Sequence, residues 1–369
     1  MKKRSSIFVY ITAAVFVLLT VFNGIALLSA DMIDFYHEKL YSPAATLISH
    51  ISGIFPFSLG EILIALAVLI CLFTIVALIV GIIGKKKGLL TFTSRLIVIV
   101  LLYIYFTETM NCFVLYHSTE LKYRLSDMEK QDGYSTEELV ALCGDIIEHA
   151  NELALKVSRD ENGQVIVPDD LGGLASDAFS DITDQFPELN GYCPPPKSMI
   201  ASTLMTQLDL QGVYFPFSLE GNYNAYLSPV RVPCTAFHEL THIKGFIRED
   251  EATFLSCIAC MESDSPEVQY SGYITAMNYT YGECRKYANE EQIYSLRSKL
   301  TMQVAIDNYF VSEEHMKKAE ESVIPKETVN KAGETAMETT LKVNGVKDGK
   351  NSYNRMVELL LIWYYGRNE

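Results

Sequence analysis

The stretch TAFHELTHIKGFIREDEATF, residues 235–254, places two histidines four positions apart around a glutamate and ends in a cluster of acids. On an α-helix, residues i and i+4 lie on one face about one turn apart, so His238 and His242 can present imidazole nitrogens to one ion. Zinc favours such ligands, and a catalytic zinc site needs a third protein ligand and a position left for water. Glu239, beside the first histidine, can reach that water as a general base.

The residues around this HExxH motif favour a buried helix followed by a turn. Buried ionisable groups need ligands or partners, which supports a metal site. Gly245 offers a stop, so the chain can fold back and bring an acid toward the histidines. A solvated, charged helix end that contacts nothing is the alternative interpretation. The apolar positions that predict burial are Ala236, Phe237, Leu240 and Ile243.

Three consecutive acids, Glu249, Asp250 and Glu251, compete for the position of third ligand. On a helix that begins near Glu249, successive residues turn by about 100°. Glu249 then shares a face with small side chains, among them Thr253 and Ser256, so this face can approach the histidine helix closely. Glu251 points roughly opposite, among large apolar side chains. The helical phase therefore favours Glu249, with Glu251 and Asp250 as alternatives.

The first third of the sequence predicts three transmembrane helices, at about residues 7–30, 62–84 and 96–115. Each stretch is long enough to cross roughly 30 Å of hydrocarbon, which takes about 20 helical residues. Glu108 lies in the third stretch and would need a partner or water there. A cleaved signal peptide is the alternative for the first stretch, but its apolar run is long and two further spans follow.

The basic residues predict the orientation of these spans. Cations at residues 2–4 precede the first span and cations at residues 85–87 follow the second, whereas Lys39 is the single cation between the first two. Because cationic loops stay in the cytoplasm, the N-terminus should be cytoplasmic. We therefore expect a multi-pass protein of the cell membrane, with a membrane region at residues 1–117 and an extracytoplasmic domain at residues 118–369.

The outer domain is strongly acidic. Residues 1–117 hold 8 of the 30 Lys/Arg and 5 of the 45 Asp/Glu, which leaves 22 and 40 for the remainder and a net charge of −18. Such a surface repels phosphate backbones, which argues against a nucleic-acid partner. The expected partners are the lipid bilayer and a peptide or protein substrate, and the oligomeric state stays open.

Six of the eight cysteines lie in the outer domain, where an extracytoplasmic location permits disulfides. Cys257 and Cys260 form a CxxC, but the surrounding sequence ATFLSCIAC is an apolar helical run. Small buried thiols are therefore favoured over a redox or metal-binding pair.

The periodicity of the outer domain predicts an α+β fold that is mainly α. Ser135 and Glu138 form a capping-box pattern that opens an amphipathic helix ending near residue 157. Residues 211–226 are rich in Val, Tyr and Phe and predict a β-hairpin, with Gly221 and Asn222 supplying the turn.

Two further features complete this prediction. Pro216 removes one backbone donor, which suits an edge strand. Residues 343–352 predict a loop, and residues 353–366 predict a buried terminal helix.

The segment at residues 235–256 resembles the signature of a family of bacterial, membrane-anchored HExxH proteins of uncharacterised function in the zincin-like clan. The segments GVYFPFSLEGNYN (212–224) and SYNRMVELLL (352–361) resemble that family's flanking segments. Zincins of the glutamate-ligand kind, the gluzincins, carry HExxH on one helix and ExxA(D/N) on the next. Here the second motif starts at Glu249 and has Thr253 where Asp or Asn is usual.

This resemblance implies a zincin-like metallopeptidase fold with Glu249 as the third zinc ligand. In such a protein a zinc-activated water hydrolyses the peptide bond, and Glu239 is the general base. The segment at 212–218 would form an edge strand to which an extended peptide can add, and an ordinary hairpin that covers the core is the alternative. The alternative function is a non-catalytic zinc-binding sensor or binding domain on the same fold. Tyr223, Tyr226 and Tyr353 are candidate oxyanion stabilisers.

Overall fold

The chain folds mainly into α-helices, with one small sheet of three strands, which confirms the predicted fold class. The structure, a computed structural model, describes residues 2–129, 133–322 and 355–367, together with residues 327, 329, 331, 333 and 335. The loop expected at 343–352 and the candidate Tyr353 lie outside the described residues.

The N-terminal third consists of helices joined by short turns. Two π-helical turns, at His37–Tyr41 and Thr109–Phe113, interrupt it. Its α-helices are α1 (Lys2–Ala26), α2 (Ala30–Tyr36), α3 (Ser42–Gly53), α4 (Leu59–Ile83), α5 (Lys87–Glu108) and α6 (Leu121–Arg124).

Three stretches of helix are long and apolar enough to cross a membrane, as predicted. They are Ile7–Ala26, Leu59–Ile83 and Lys87–His117. The third begins nine residues earlier than the predicted span at 96–115, because Arg95 lies within α5 instead of ending it. The guanidinium of Arg95 lies over the ring of Phe8, 5.2 Å from its centroid, so this cation has an aromatic partner on α1.

The remaining described residues form a helical domain around the motif. Helix α7 begins with the predicted capping box of Ser135 and Glu138, and it ends three residues before the predicted 157. The helices are α7 (Thr136–Ala154), α8 (Leu171–Ser180), α9 (Ser202–Gln207), α10 (Val232–Ile243), α11 (Glu249–Glu262), α12 (Pro266–Tyr287), α13 (Glu290–Lys299), α14 (Met302–Asp307), α15 (Glu313–Glu320) and α16 (Arg355–Gly366).

The motif helix α10 and its successor α11 lie inside the main hydrophobic core. They pack against each other and against α12, which packs on α7, while α16 covers α11. Phe237 and Leu240 of α10 and Phe254 of α11 are fully buried there. Burying one such side chain contributes about 1.5–3 kcal/mol. The core therefore fixes the positions of both helices that carry the candidate ligands.

The sheet has the strand order β1 (Lys197–Met199), β3 (Glu220–Asn224), β2 (Gly212–Phe215). Strand β3 is parallel to β1 and antiparallel to β2. The predicted hairpin is therefore present, and its first strand lies at an edge of the sheet.

The predicted position of the hairpin turn is wrong. Gly221 and Asn222 lie within β3, and the chain turns at residues 216–219, where Leu219 takes a positive φ of 51°. Gly221 has a different role, since a Cβ at this position would lie 3.0 Å from the Cβ of Glu239. The glycine allows β3 to approach α10 closely.

The segment between the first two apolar helices packs against the end of α10. The hydroxyl of Tyr41 donates to the carbonyl of Ile243 at 3.0 Å, and His37 Nε2 lies 2.6 Å from the carbonyl oxygen of Lys244. Residues assigned to the membrane region thus touch the outer domain directly. The division at residue 117 stays a prediction.

A buried ion pair joins the sheet to the start of α4. The carboxylate of Glu220 accepts the backbone N–H groups of Leu59 and Gly60, at 3.2 and 2.9 Å. It also pairs with the ammonium of Lys197, and both side chains are buried. Because α4 begins here, the carboxylate lies at the positive end of the helix dipole, which stabilises it.

Candidate metal centre

A tight turn reverses the chain between α10 and α11. Gly245 takes a φ of 100°, and its N–H donates to the carbonyl of His242 at 3.0 Å. The N–H of Phe246 donates to the carbonyl of Thr241 at 3.4 Å, which completes a Schellman motif. A Cβ at position 245 would collide with the ring of His37. The turn predicted at Gly245 is therefore where the chain folds back to Glu249.

This turn brings three ligand atoms together. Nε2 of His238 lies 3.1 Å from Nε2 of His242 and 3.1 Å from Oε2 of Glu249. Nε2 of His242 lies 3.8 Å from Oε1 of Glu249. Among the described residues these three form the one group whose histidine, cysteine or carboxylate ligand atoms all lie within 4.8 Å of one another.

Glu251, one of the two other acids, bonds to groups outside the three-ligand cluster. Its Oε1 accepts the backbone N–H of Leu121 at 2.8 Å and lies 3.2 Å from the guanidinium of Arg248. Asp250 and Glu251 are buried but do not belong to the three-atom group. Glu249 is therefore the acid whose carboxylate lies beside the two histidines.

Hydrogen bonds at the far ring nitrogens fix both imidazoles. Nδ1 of His242 donates to the carbonyl of Phe246 at 2.7 Å. Thr253 Oγ1 donates to the carbonyl of Glu249 at 2.7 Å, so it accepts from Nδ1 of His238 at 3.2 Å. Each Nδ1 carries a proton, so in its neutral form each ring offers the Nε2 lone pair to the shared centre. Thr253, in the position where Asp or Asn is usual, thus orients the first histidine.

The charges of the three groups depend on one another in the metal-free protein. Burial lowers the pKa of His238, but the hydrogen bond and charge of Glu249 outweigh it and raise that pKa to about 9. Burial raises the pKa of Glu249, but the hydrogen bond from His238 and the charges of both histidines outweigh burial and lower that pKa to about 2. Burial and the charge on His238 lower the pKa of His242 to about 4. At neutral pH and without a metal, both rings keep their Nδ1 protons, and His238 alone carries a second one, on the Nε2 that faces Glu249.

The donor set fits a divalent metal ion. Without that proton, two imidazole lone pairs and a carboxylate face one another at 3.1–3.8 Å, which is stable only with a cation between them. Imidazole and carboxylate ligands suit zinc, and sites with three protein ligands leave a position open. His238, His242 and Glu249 could hold such an ion.

Glu239 lies beside this group, under the sheet. Its side chain is 5% exposed, and burial raises its pKa to about 8, while a backbone hydrogen bond from Tyr214 acts in the opposite direction. A Cβ at Gly212 would lie 2.8 Å from its carboxyl carbon, and Gly221 faces its Cβ. Two glycines, one on each strand of the hairpin, therefore let the carboxylate reach the edge of β2.

Of the three candidate oxyanion stabilisers, the two in the described part of the chain, Tyr223 and Tyr226, have separate surroundings. Tyr226 stacks on His315 at 4.0 Å and accepts from Lys318 at 2.7 Å, on a different surface. Tyr223 lies opposite Gly212 in the sheet and packs against the hydrophobic cluster that contains Ala236 of α10.

Two tyrosines that the sequence did not single out contact a ligand or its hydrogen-bond partner. The ring of Tyr214 is 5.8 Å from that of His242. Tyr279 shares a hydrogen bond with Thr253, and burial raises its pKa. Tyr279 is on α12, far along the chain, so only the packing of that helix could reveal it.

The sequence comparisons identify a family but no characterised relative. The family model described as "Protein of unknown function (DUF3810)" matches residues 36–361. No curated protein and no solved structure matches the chain. Because the match covers most of the sequence, including both motif helices and the sheet, the chain belongs to the DUF3810 family.

Proposed function

We propose that the protein is a membrane-anchored, zinc-dependent metallopeptidase. The observation that carries this proposal is the convergence of His238, His242 and Glu249 on one point, with their ligand atoms within 4.8 Å of one another. The position of Glu239 supports it further, since this carboxylate lies on the same helix and beside the edge strand β2. The zincin-like resemblance of the two motifs agrees with this assignment.

Each of these residues has its own role in peptide hydrolysis. His238, His242 and Glu249 would hold the ion, which when bound supplies Lewis-acid polarisation of the scissile carbonyl and lowers the pKa of an attacking water. Glu239 accepts the proton of that water and donates it to the leaving amine. The edge of β2 that has no strand neighbour among the described residues would bind the peptide in an extended conformation through backbone hydrogen bonds.

We also propose that the domain is extracytoplasmic. The supporting pattern is the cationic sequence at residues 2–4 and 85–87. A reporter active only in the cytoplasm should be silent when fused after Glu369 and active when inserted between Gly84 and Arg95. The reverse pattern would place the domain in the cytoplasm.

Hydrolysis by the purified full chain tests the proposed activity. The zinc-loaded wild type is incubated with a peptide library beside Glu239→Gln, which keeps the ligands but cannot accept a proton. Glu161→Gln, an exposed carboxylate in a loop, is the matched control. We expect cleavage by the wild type and the control, and a loss of at least about a hundredfold in Glu239→Gln.

Two outcomes would contradict the proposal. Zinc binding without cleavage of any library member would favour a non-catalytic zinc-binding or sensor domain. Full activity in Glu239→Gln would remove this residue from the role of general base.

A further inference from the structure

Strand β2 runs from the candidate metal centre to the helices that are long and apolar enough to cross a membrane. At its start, Gly212 lies against the carboxylate of Glu239. At its end, the ring of Phe215 packs on Gly60, where a Cβ would lie 2.8 Å from the ring. Three residue steps separate these ends, or about 10 Å of extended chain.

The turn that follows β2 lies against the third apolar helix. The ring of Phe217 is 5.8 Å from that of Tyr103 on α5. Asn111, just after α5, donates its side-chain N–H to the carbonyl of Pro216 at 2.7 Å. Tyr103 precedes the last residue of α5 by five positions, so Phe217 lies about 8 Å inside the end of that helix. The hairpin tip thus packs beside the third stretch of helix that is long and apolar enough to cross a membrane, Lys87–His117.

Exposed apolar side chains surround the start of α4 on the same side of the domain. Ile54 is 76% exposed and Phe57 is 43% exposed, in the loop that leads into the helix. Ile200 is 87% exposed, and its N–H donates to Glu61 in the first turn of α4. Side chains of this kind are stable in contact with lipid but not with water. They indicate that the sheet side of the domain rests on the bilayer.

Hydrogen bonds and one buried ion pair, between Glu220 and Lys197, hold this arrangement. Glu220 of β3 accepts two N–H groups of α4 and pairs with Lys197 of β1. Glu61 of α4 accepts in turn the N–H groups of Ile200 and Ala201, at 3.1 and 2.8 Å. Because charged groups that are buried and fully bonded are costly to separate, the sheet cannot swing away from the membrane easily.

We infer that the substrate is a polypeptide anchored in the same membrane, cut a few residues from the bilayer. This inference rests on the proposed peptidase function. Among the described residues β2 has one strand neighbour, so its other edge is available for an added strand. A chain that pairs there has one end at Glu239 and the other at the bilayer surface. The distance corresponds to roughly three to eight extended residues between the anchor and the cleaved bond.

The test uses the full chain in lipid vesicles and three forms of one randomised peptide library. The randomised segment has about 30 residues, which in extended form far exceeds the length of β2. One form carries a palmitoyl group at its N-terminus, the second carries it at its C-terminus, and the third has no anchor. Cut positions and rates are read by mass spectrometry, with Glu239→Gln as the background.

Cuts clustered within about ten residues of an anchor, at a rate about tenfold above the unanchored form, would support the inference, because tethering raises the local concentration. Cuts spread evenly along the anchored peptides, or equal rates with and without an anchor, would overturn it and leave the peptidase function standing. No cleavage of any form above the background would refute the peptidase function, and this inference with it.

Discussion

Replacing Thr253 by valine should weaken zinc binding without unfolding the domain. Thr253 Oγ1 accepts from Nδ1 of His238 at 3.2 Å and donates to the carbonyl of Glu249 at 2.7 Å. Valine has nearly the same shape but accepts no hydrogen bond, so Thr253→Val leaves the imidazole N–H unpaired and the ring free to turn. Loss of such an outer contact lowers metal affinity about 10–100-fold, or about 1.4–2.7 kcal/mol.

Thr241→Val is the matched control for this substitution. Thr241 is fully buried on the same helix as the histidines, and its Oγ1 donates to the carbonyl of Phe237 at 2.8 Å. Each variant loses a hydrogen bond to the backbone, which is worth about 1 kcal/mol of folding free energy. Only Thr253→Val also loses a contact to a candidate ligand.

Competition with a chromophoric zinc chelator measures the affinity, and thermal unfolding of the metal-free protein measures the stability. We expect Thr253→Asn, which restores an acceptor, to recover most of the affinity. Equal zinc affinities for the wild type, Thr253→Val and Thr241→Val would refute the role of Thr253. An equal loss in both valine variants would do the same.

Three further outcomes follow from the geometry. Metal analysis after dialysis should show that Glu249→Ala loses zinc and that Glu251→Ala retains it. The opposite result would identify Glu251 as the third ligand. Because the pKa of His238 is raised to about 9, this residue holds a proton that zinc must displace. The apparent zinc affinity should therefore rise about tenfold per pH unit up to about pH 9 and then level off. An affinity that does not change with pH would contradict this. Gly221→Ala places a Cβ 3.0 Å from that of Glu239 and should lower the free energy of unfolding by about 1–3 kcal/mol, whereas Gly282→Ala, with open space around it, should not destabilise the fold.

The helical part of the candidate site could be predicted from the sequence because it depends on local geometry. A spacing of four residues places His238 and His242 on one face, and the phase of α11 places Glu249 on the face of Thr253. The turn could be predicted at Gly245 because glycine adopts a positive φ readily, whatever its distant contacts. These features involve residues close together in the chain.

Features that depend on distant contacts could not be predicted in the same way. The sequence predicts Gly221 as a turn residue, although the close approach of α10 is what requires a glycine there. Tyr279 reaches Thr253 only through the packing of α12. His37 and Tyr41 lie in a stretch assigned to the membrane region, yet they contact the end of α10. No pattern within these segments indicates their distant partners.

The zinc content of the purified full chain tests the central claim most directly. After incubation with zinc and extensive dialysis, the wild type should retain about one ion per chain, as a site with three protein ligands does. His238→Ala should retain almost none, and His149→Ala, which removes an exposed imidazole on α7, should match the wild type. A wild-type protein without zinc, or a His238→Ala variant with the full amount, would contradict the assignment of this metal centre.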